Sequence, residues 1–133
     1  MDIRPYEGFD EAELLSLYES VGWTNYTGRA DMLREAFAHS LLTLGAYEDG
    51  KLMGVVRAVG DGYSVVLVQD LLLFPEYQHR GVGTALLRAV LDRFPDVYQL
   101  QLLTDDTPEH AAFYTSLGFV NVAKYGCAAY QRA

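Results

Sequence analysis

One stretch of this chain constrains its fold more than any other: an almost unbroken apolar run that passes through a glycine-bearing loop into a helix. The run covers residues 63–74 and stops at Pro75. The loop that follows ends at Gly81, and helical spacing resumes at Val82. Gly83 lies in the first turn of this predicted helix. A long apolar run of this kind predicts a central strand that is buried on both faces. The chain is therefore expected to build a layered sheet around this strand.

The rest of the chain alternates between helical and strand periods, with turn or capping signals at the boundaries. Asp10 is expected to cap the first helix, and Asp49-Gly50 is a strong signal for a type I′ hairpin. The predicted strands are residues 3–6, 41–48, 51–59, 63–74, 97–104, 119–122 and 126–131, the last two forming a final hairpin. The order β-α-α-β-β-β-α-β-α-β-β predicts an α/β (α+β) fold with a mixed, mostly antiparallel central sheet and helices on both faces.

Length, cysteine content and charge exclude several classes of protein. A chain of 133 residues is expected to form a single domain over 1–133, large enough to bury a core without disulfides or a structural metal. No apolar run reaches the roughly eighteen residues of a membrane span, and the single Cys127 cannot form an internal disulfide, so a cytoplasmic location is expected. The net charge of −8 repels nucleic acid and anionic lipid, so neither is expected as a partner.

The loop between the central strand and the following helix is the candidate binding site. Gly81 and Gly83 remove side chains where the backbone must approach a ligand closely. The unpaired N–H groups of the first helical turn point outward there, with the positive end of the helix dipole behind them. Hydrogen bonds to a charged partner contribute about 1.5–3 kcal/mol each, so several of them would hold a pyrophosphate. The alternative is a tight turn whose glycines only shape the backbone.

Two short motifs in register identify a family. A Rossmann loop is excluded because Leu86 stands at its third glycine position, and a P-loop is excluded because Gly-Lys-Ser/Thr is absent. Residues 78–83, Gln-His-Arg-Gly-Val-Gly, resemble the pyrophosphate loop of the GNAT superfamily of acetyl-CoA-dependent N-acetyltransferases. Residues 112–119, Ala-Phe-Tyr-Thr-Ser-Leu-Gly-Phe, resemble the family's Phe-Tyr-x-x-x-Gly-Phe segment at the expected distance. The resemblance covers nearly the whole chain, since the order of elements is also the family's.

The resemblance implies acetyl-CoA as the cosubstrate. The three histidines, His39, His79 and His110, are scattered along the chain, so no metal is expected. Pantetheine is expected in a gap between the splayed ends of the central strand and the strand from Val97, bonded to the main chain of that central strand. The residues expected to contact the cofactor are Leu71, Leu72 and Leu73 on the strand and Gln78, His79, Arg80, Gly81, Val82, Gly83 and Thr84 in the loop. Asp105 stands where relatives often carry an Asn that reaches the pantetheine, and a plain turn role beside Asp106 is the alternative.

The family's proton donor to the departing thiolate corresponds to Tyr114, for which packing in the core is the alternative. The general base is less well defined by the sequence. Several relatives carry a Glu at the position of Gln69, and an amide cannot act as a base. The neighbouring Asp70 is the candidate, although on a regular strand it points to the opposite face unless a bulge re-aims it. The alternative for Asp70 is a structural carboxylate.

Trp23 and Tyr26 lie between the first two helices, where this family usually shapes its acceptor pocket. A purely structural role for Trp23 in the core is the alternative. The expected reaction is transfer of an acetyl group to a primary amine, with small cationic or aromatic amines favoured, by direct attack in a ternary complex. A non-catalytic acyl-CoA-binding module of the same fold is the rival interpretation, because Gln69 replaces the base. A homodimer is compatible with an exposed sheet edge.

Overall fold

The computed structural model describes all 133 residues, which divide into two compact units, Met1–Leu102 and Leu103–Ala133. The strands are β1 (Asp2–Pro5), β2 (Leu42–Glu48), β3 (Lys51–Gly60), β4 (Val65–Leu73) and β5 (Gln99–Leu102). The helices are α1 (Glu11–Ser20), α2 (Ala30–Ala38) and α3 (Val82–Arg93) in the first unit and α4 (Pro108–Ser116) in the second. None of these helices is long and apolar enough to cross a bilayer.

The first unit contains a five-stranded sheet with the strands in chain order from β1 to β5. The pairs from β1 to β4 are antiparallel, whereas β4 and β5 are parallel and α3 connects them. The type I′ turn predicted between β2 and β3 is confirmed, because Asp49 and Gly50 both have positive φ, 52° and 78°. The predicted mixed, mostly antiparallel sheet with helices is therefore confirmed.

Capping and apolar periodicity account for the helices of the first unit. The Asp10 side chain accepts a hydrogen bond from the Glu13 N–H at 3.1 Å, which satisfies one of the unpaired donors at the start of α1. The apolar face of α1 is fully buried and packs with Leu33, Val55 and Leu72 in one hydrophobic cluster. On α3, the buried positions recur at helical spacing: Val82, Gly83, Leu86, Leu87 and Val90.

Strand β4 changes faces in its middle, which corrects the prediction that it is buried on both sides. Only alternate residues of β4 are fully buried. Val68 pairs with Ala58, whereas Asp70 pairs with Arg57, so that Gln69 is an extra residue in the ladder. Neighbouring residues of β3 point to opposite faces, and their partners on β4 must do the same. The bulge thus turns Asp70 to the face opposite Val68. Each half of β4 is therefore fully buried on one face only, Val66 and Val68 on one face and Asp70 and Leu72 on the other.

Strand β5 is shorter than the predicted range 97–104. Its pairing with β4 ends where Val68 faces Leu102. The last five residues of β4, 69–73, therefore extend beyond the paired part of β5. All of β5 is thus paired, but only with the first half of β4, and the predicted splaying of the two strands stays a prediction.

In the second unit, α4 begins as predicted, with the Thr107 side chain accepting from the His110 N–H at 3.1 Å. The predicted final hairpin over 119–122 and 126–131 is wrong, because no strand forms there. Instead, Val122–Tyr125 is a short 3₁₀ helix. Asn121 caps its start with a side-chain hydrogen bond, and Gly126 ends it with φ of 74°. These local signals oppose the extended backbone that a hairpin needs. Cys127 is exposed.

Candidate active site

The start of α3 presents backbone N–H groups that no side chain caps. Gly81 is the N-cap of α3 with φ of 81°, and no side chain caps this end of the helix. His79 is also left-handed, with φ of 62°, although it is not a glycine. The first intrahelical bond runs from the Ala85 N–H to the Gly81 carbonyl, so the N–H groups before Ala85 are free to bind an anion. Left-handed residues that alternate with other conformations form such anion-binding nests.

Two side chains of the same loop could assist an anion bound there. Gln78 Nε2 donates to the Leu73 carbonyl at 3.4 Å, which connects the loop to the end of β4. Arg80 lies 3.4 Å from the Glu48 carboxylate, and both side chains are about half exposed. An exposed pair of this kind contributes at most about 1 kcal/mol, so a bound anion can compete for the Arg80 guanidinium. Thr84 is partly buried in the first turn of α3.

The end of β4 supplies main chain rather than side chains. The Leu72 side chain is buried in the core, with 3% exposure, so Leu72 can reach a ligand only through its backbone. Leu71 and Leu73 pair with Val56 and Gly54 of β3 on one side and lie beyond the end of the β5 ladder on the other. This edge of β4 is therefore able to accept an extended ligand as an added strand.

A buried ion pair lies directly after the bulge. The Arg57 Nε atom donates to Asp70 Oδ2 at 2.7 Å, and the Tyr18 hydroxyl donates to the same oxygen at 2.7 Å. Arg57 and Asp70 are only 5% and 2% exposed, and Tyr18 is fully buried. Burial raises the pKa of Tyr18, and the adjacent Asp70 charge raises it further. Burial by itself lowers the pKa of Arg57, but Asp70 outweighs it and the pKa is raised. We call these three residues the Arg57 network.

This arrangement bears on the candidate base. The bulge does re-aim Asp70, but towards Arg57 and Tyr18. Its carboxylate accepts hydrogen bonds from these two side chains. Gln69, the extra residue of the bulge, is exposed. A catalytic role for Asp70 therefore stays a prediction, and its contacts favour a structural or positioning role.

Trp23 is the N-cap and Tyr26 the last residue of a short 3₁₀ helix, Thr24–Tyr26, between α1 and α2. The Tyr26 ring meets the Tyr18 ring edge-on with centroids 5.0 Å apart, and the Trp23 ring lies 6.1 Å from it. Both aromatic residues are partly buried against the core cluster. Burial raises the pKa of Tyr26, Asp70 adds to this effect, and Arg57 opposes it. Their partial exposure suits two rings that pack on the core with one side and contact a ligand with the other, and we call Trp23 and Tyr26 the acceptor wall. Their predicted role in acceptor binding stays a prediction.

In the second unit, the Tyr114 ring is held between two other aromatic rings. Phe113 and Phe119 meet it edge-on, with centroids 4.9 Å and 5.9 Å away. Burial raises the pKa of Tyr114, and a hydrogen bond with Thr104 partly opposes the rise. The phenol is thus protonated at neutral pH, as a proton donor must be. Asp105 is exposed, and its carbonyl accepts the Thr107 N–H at 2.9 Å. The roles predicted for Tyr114 and Asp105 stay predictions.

The sequence reasoning missed Arg57 and Tyr18. Arg57 stands among buried apolar residues in β3, and a charge inside such a run is a signal of a buried partner. Asp70 provides the same signal, with opposite charge, in the next strand. Together they could have predicted the ion pair.

Comparison with known proteins identifies close relatives. Residues 9–119 match the model of the Acetyltransferase (GNAT) family. A GNAT-family acetyltransferase of Streptococcus pneumoniae TIGR4 superposes with a TM-score of 0.89 and 38% identity, over 99% of this chain and 96% of that one. Uncharacterized N-acetyltransferase ycf52-like of Prochlorococcus marinus is 31% identical over 83% of this chain and 62% of its own length. Its counterpart ycf52 in Gracilaria tenuistipitata var. liui is 29% identical over 81% of this chain and 60% of its own. The chain thus spans about three-fifths of the length of these two curated relatives.

Proposed function

The chain belongs to the GNAT family of acetyltransferases, and we propose that it transfers an acetyl group from acetyl-CoA to a primary amine. The observation that carries this proposal is the uncapped start of α3 beside an open edge of β4. The nest of N–H groups suits the pyrophosphate, and the edge at Leu71 and Leu73 suits the amides of pantetheine. A thioester at the end of that arm would lie along β4.

Direct attack of the amine in a ternary complex is energetically sufficient. An amine with a pKa of about 10.4 is neutral only about once in 2,500 molecules at pH 7, which costs about 4.6 kcal/mol. Holding the two reactants together contributes about 7–11 kcal/mol, so a strong base is not required. The amine nitrogen bonds to the carbonyl carbon and loses a proton to water. The carbon–sulfur bond breaks, Tyr114 gives its proton to the departing thiolate, and the Tyr114 phenolate regains a proton from water.

The cofactor loop is tested by the substitution Gly83→Asp. The new carboxylate places bulk and negative charge in the phosphate nest, so we expect acetyl-CoA affinity to fall by at least about 2 kcal/mol, or roughly 30-fold. Calorimetry with acetyl-CoA measures the change. Gly28→Asp is the control for the added charge, because Gly28 is exposed and an added Cβ there meets nothing within 4 Å. Equal affinity in the folded Gly83→Asp variant and in wild type would remove the loop from the binding site.

We expect the acceptor to be a cationic amine with an apolar or aromatic body. Residues 1–50 carry ten acidic and three basic side chains, a surface that concentrates ammonium ions until salt screens it above about 0.1 M. Trp23 and Tyr26 can hold a cation against an aromatic face for about 0.5–2 kcal/mol. Values of kcat/KM for arylalkylamines, polyamines and anionic amino compounds, at low and high salt, test the expectation. Preference for an anionic acceptor, or rates indifferent to salt and to Trp23→Ala, would contradict it.

A non-catalytic acyl-CoA-binding module remains the second candidate. It is favoured by the exposed amide Gln69 and by the engagement of Asp70 with Arg57. Release of free thiol from acetyl-CoA in the presence of the amine panel separates the two functions. Binding of acetyl-CoA without thiol release for any amine would support the module and overturn the enzyme.

A further inference from the structure

We propose that Arg57 is a positioning residue for the acceptor: through Asp70 and Tyr18 it holds the segment Trp23–Tyr26 at a fixed distance from the cofactor edge of β4. This inference rests on the proposed acetyl transfer. It concerns a residue that does not itself touch either substrate. Its role is to fix the position of the acceptor wall relative to β4.

The cost of burying charge is the first reason to look for a role beyond stability. Arg57 and Asp70 are almost completely withdrawn from water. Desolvation of a buried ion pair can consume the Coulombic gain, and apolar residues of similar volume often stabilise a fold as well. Stability alone is thus a weak reason to place this pair beside the bulge. Every buried polar side-chain atom in the structure does have a partner, so the hydrogen bonding of the network is complete.

Arg57 connects the sheet to both helices of the acceptor side. Its Nε atom holds Asp70 on β4, and its Nη1 atom lies 3.3 Å from the Ser40 Oγ atom beyond the end of α2. Ser40 in turn donates to the Ala36 carbonyl at 2.6 Å, inside the last turn of α2. Asp70 continues the connection to Tyr18 on α1. One guanidinium therefore fixes β3, β4, α1 and α2 relative to each other.

Tyr18 connects the Arg57 network to the acceptor wall. Its hydroxyl is anchored to Asp70, so its buried ring cannot rotate away. Tyr26 and Trp23 pack on that ring, with centroids 5.0 Å and 6.1 Å from it. The orientation of the wall is thus set by a ring that the ion pair holds in place.

The position of Asp70 connects this wall to the cofactor side. Asp70 follows the bulge at Gln69 and immediately precedes the open edge at Leu71 and Leu73. The same carboxylate therefore stands between the strand that would carry the thioester and the ring that supports the acceptor wall. A misplacement of about 1 Å between reacting groups can cost about 100-fold in rate. Loss of the network should consequently impair acceptor use while the cofactor loop still binds.

The test compares Arg57→Met with the double variant Arg57→Met/Asp70→Asn. The single variant leaves a buried carboxylate unpaired, and the double variant removes both charges while keeping an oxygen for the Tyr18 hydroxyl. We expect the double variant to regain thermal stability over the single one. Its KM for the amine should nevertheless stay at least about tenfold above wild type, because the guanidinium that joins the elements is absent. Its affinity for acetyl-CoA should match wild type.

Trp23 supplies a readout that does not require turnover, since it is the only tryptophan in the chain. We expect acrylamide to quench its fluorescence more strongly in the double variant than in wild type. The control is Arg34→Met, which breaks an exposed pair between α2 and Glu11 on α1 and should change neither quenching nor KM. If the wild-type protein acetylates no amine, the proposed function fails, and the quenching comparison still decides the positioning.

The inference would be overturned if the double variant regained not only stability but also the quenching and the acceptor KM of wild type. The network would then be structural only. Tyr18→Phe provides a second test that keeps the ion pair and the ring. We expect it to increase Trp23 quenching and acceptor KM in the same direction. Unchanged values in a stable Tyr18→Phe variant would likewise overturn the proposed link.

Discussion

Replacing Tyr114 with phenylalanine is expected to lower kcat for acetyl transfer by about 10²–10³-fold, while KM for acetyl-CoA stays nearly unchanged. The substitution removes one hydroxyl and keeps the ring that packs between Phe113 and Phe119. Burial raises the pKa of this phenol, so it carries its proton at neutral pH and can give it to the thiolate. Because that donation occurs chiefly in the transition state, its loss appears in kcat. Steady-state kinetics with the best amine of the panel measure both constants.

Tyr125→Phe is the matched control for this substitution. Tyr125 lies in the same unit but is 72% exposed, so loss of its hydroxyl should leave kcat unchanged. Single-turnover measurements establish whether chemistry limits the rate. If kcat of Tyr114→Phe falls less than about threefold while chemistry is rate-limiting, the hydroxyl is not the donor and Tyr114 only packs.

The substitution Asp70→Ala is expected to reduce the free energy of unfolding by about 3–5 kcal/mol, the range found when one partner of a buried ion pair is removed. The loss leaves the Arg57 charge and the Tyr18 hydroxyl without their shared acceptor in a site that water does not reach. Urea denaturation followed by circular dichroism gives the difference.

Glu11→Ala is the control for Asp70→Ala, because it also removes a carboxylate from an arginine. The pair of Glu11 with Arg34 spans 3.4 Å, and both side chains are about half exposed. We therefore expect a loss below about 1 kcal/mol. Equal losses in the two variants would show that burial adds nothing to the Arg57–Asp70 pair.

Features of the fold with a local cause were predictable from the sequence. Asp10 and Thr107 act through backbone N–H groups a few residues away, and the Asp49-Gly50 turn needs only positive φ at two adjacent residues. The types of residue at these positions contain that information. The loop before α3 belongs to the same class, since a glycine N-cap and the following helix are neighbours in sequence.

Features that depend on pairing between strands were not predictable in the same way. The bulge at Gln69 exists only because Asp70 pairs with Arg57 while Val68 pairs with Ala58. Periodicity therefore suggested a strand buried on both faces. The Arg57 network was not predicted for the same reason, since its three members lie on three different elements. The final hairpin failed for the opposite reason, because local caps at Asn121 and Gly126 outweighed the apolar alternation.

Strand β4 pairs with β5 over only its first half, and this also bears on how the protein should behave in storage. A strand edge without a neighbour is a template for any other extended chain, including that of a second molecule. Residues 69–73 have no partner in β5, and charged or proline residues that usually protect edges are absent from them except for the buried Asp70. A ligand that lies along this edge closes it. The cosubstrate would then serve the protein as a shield against self-association, in solution and during purification.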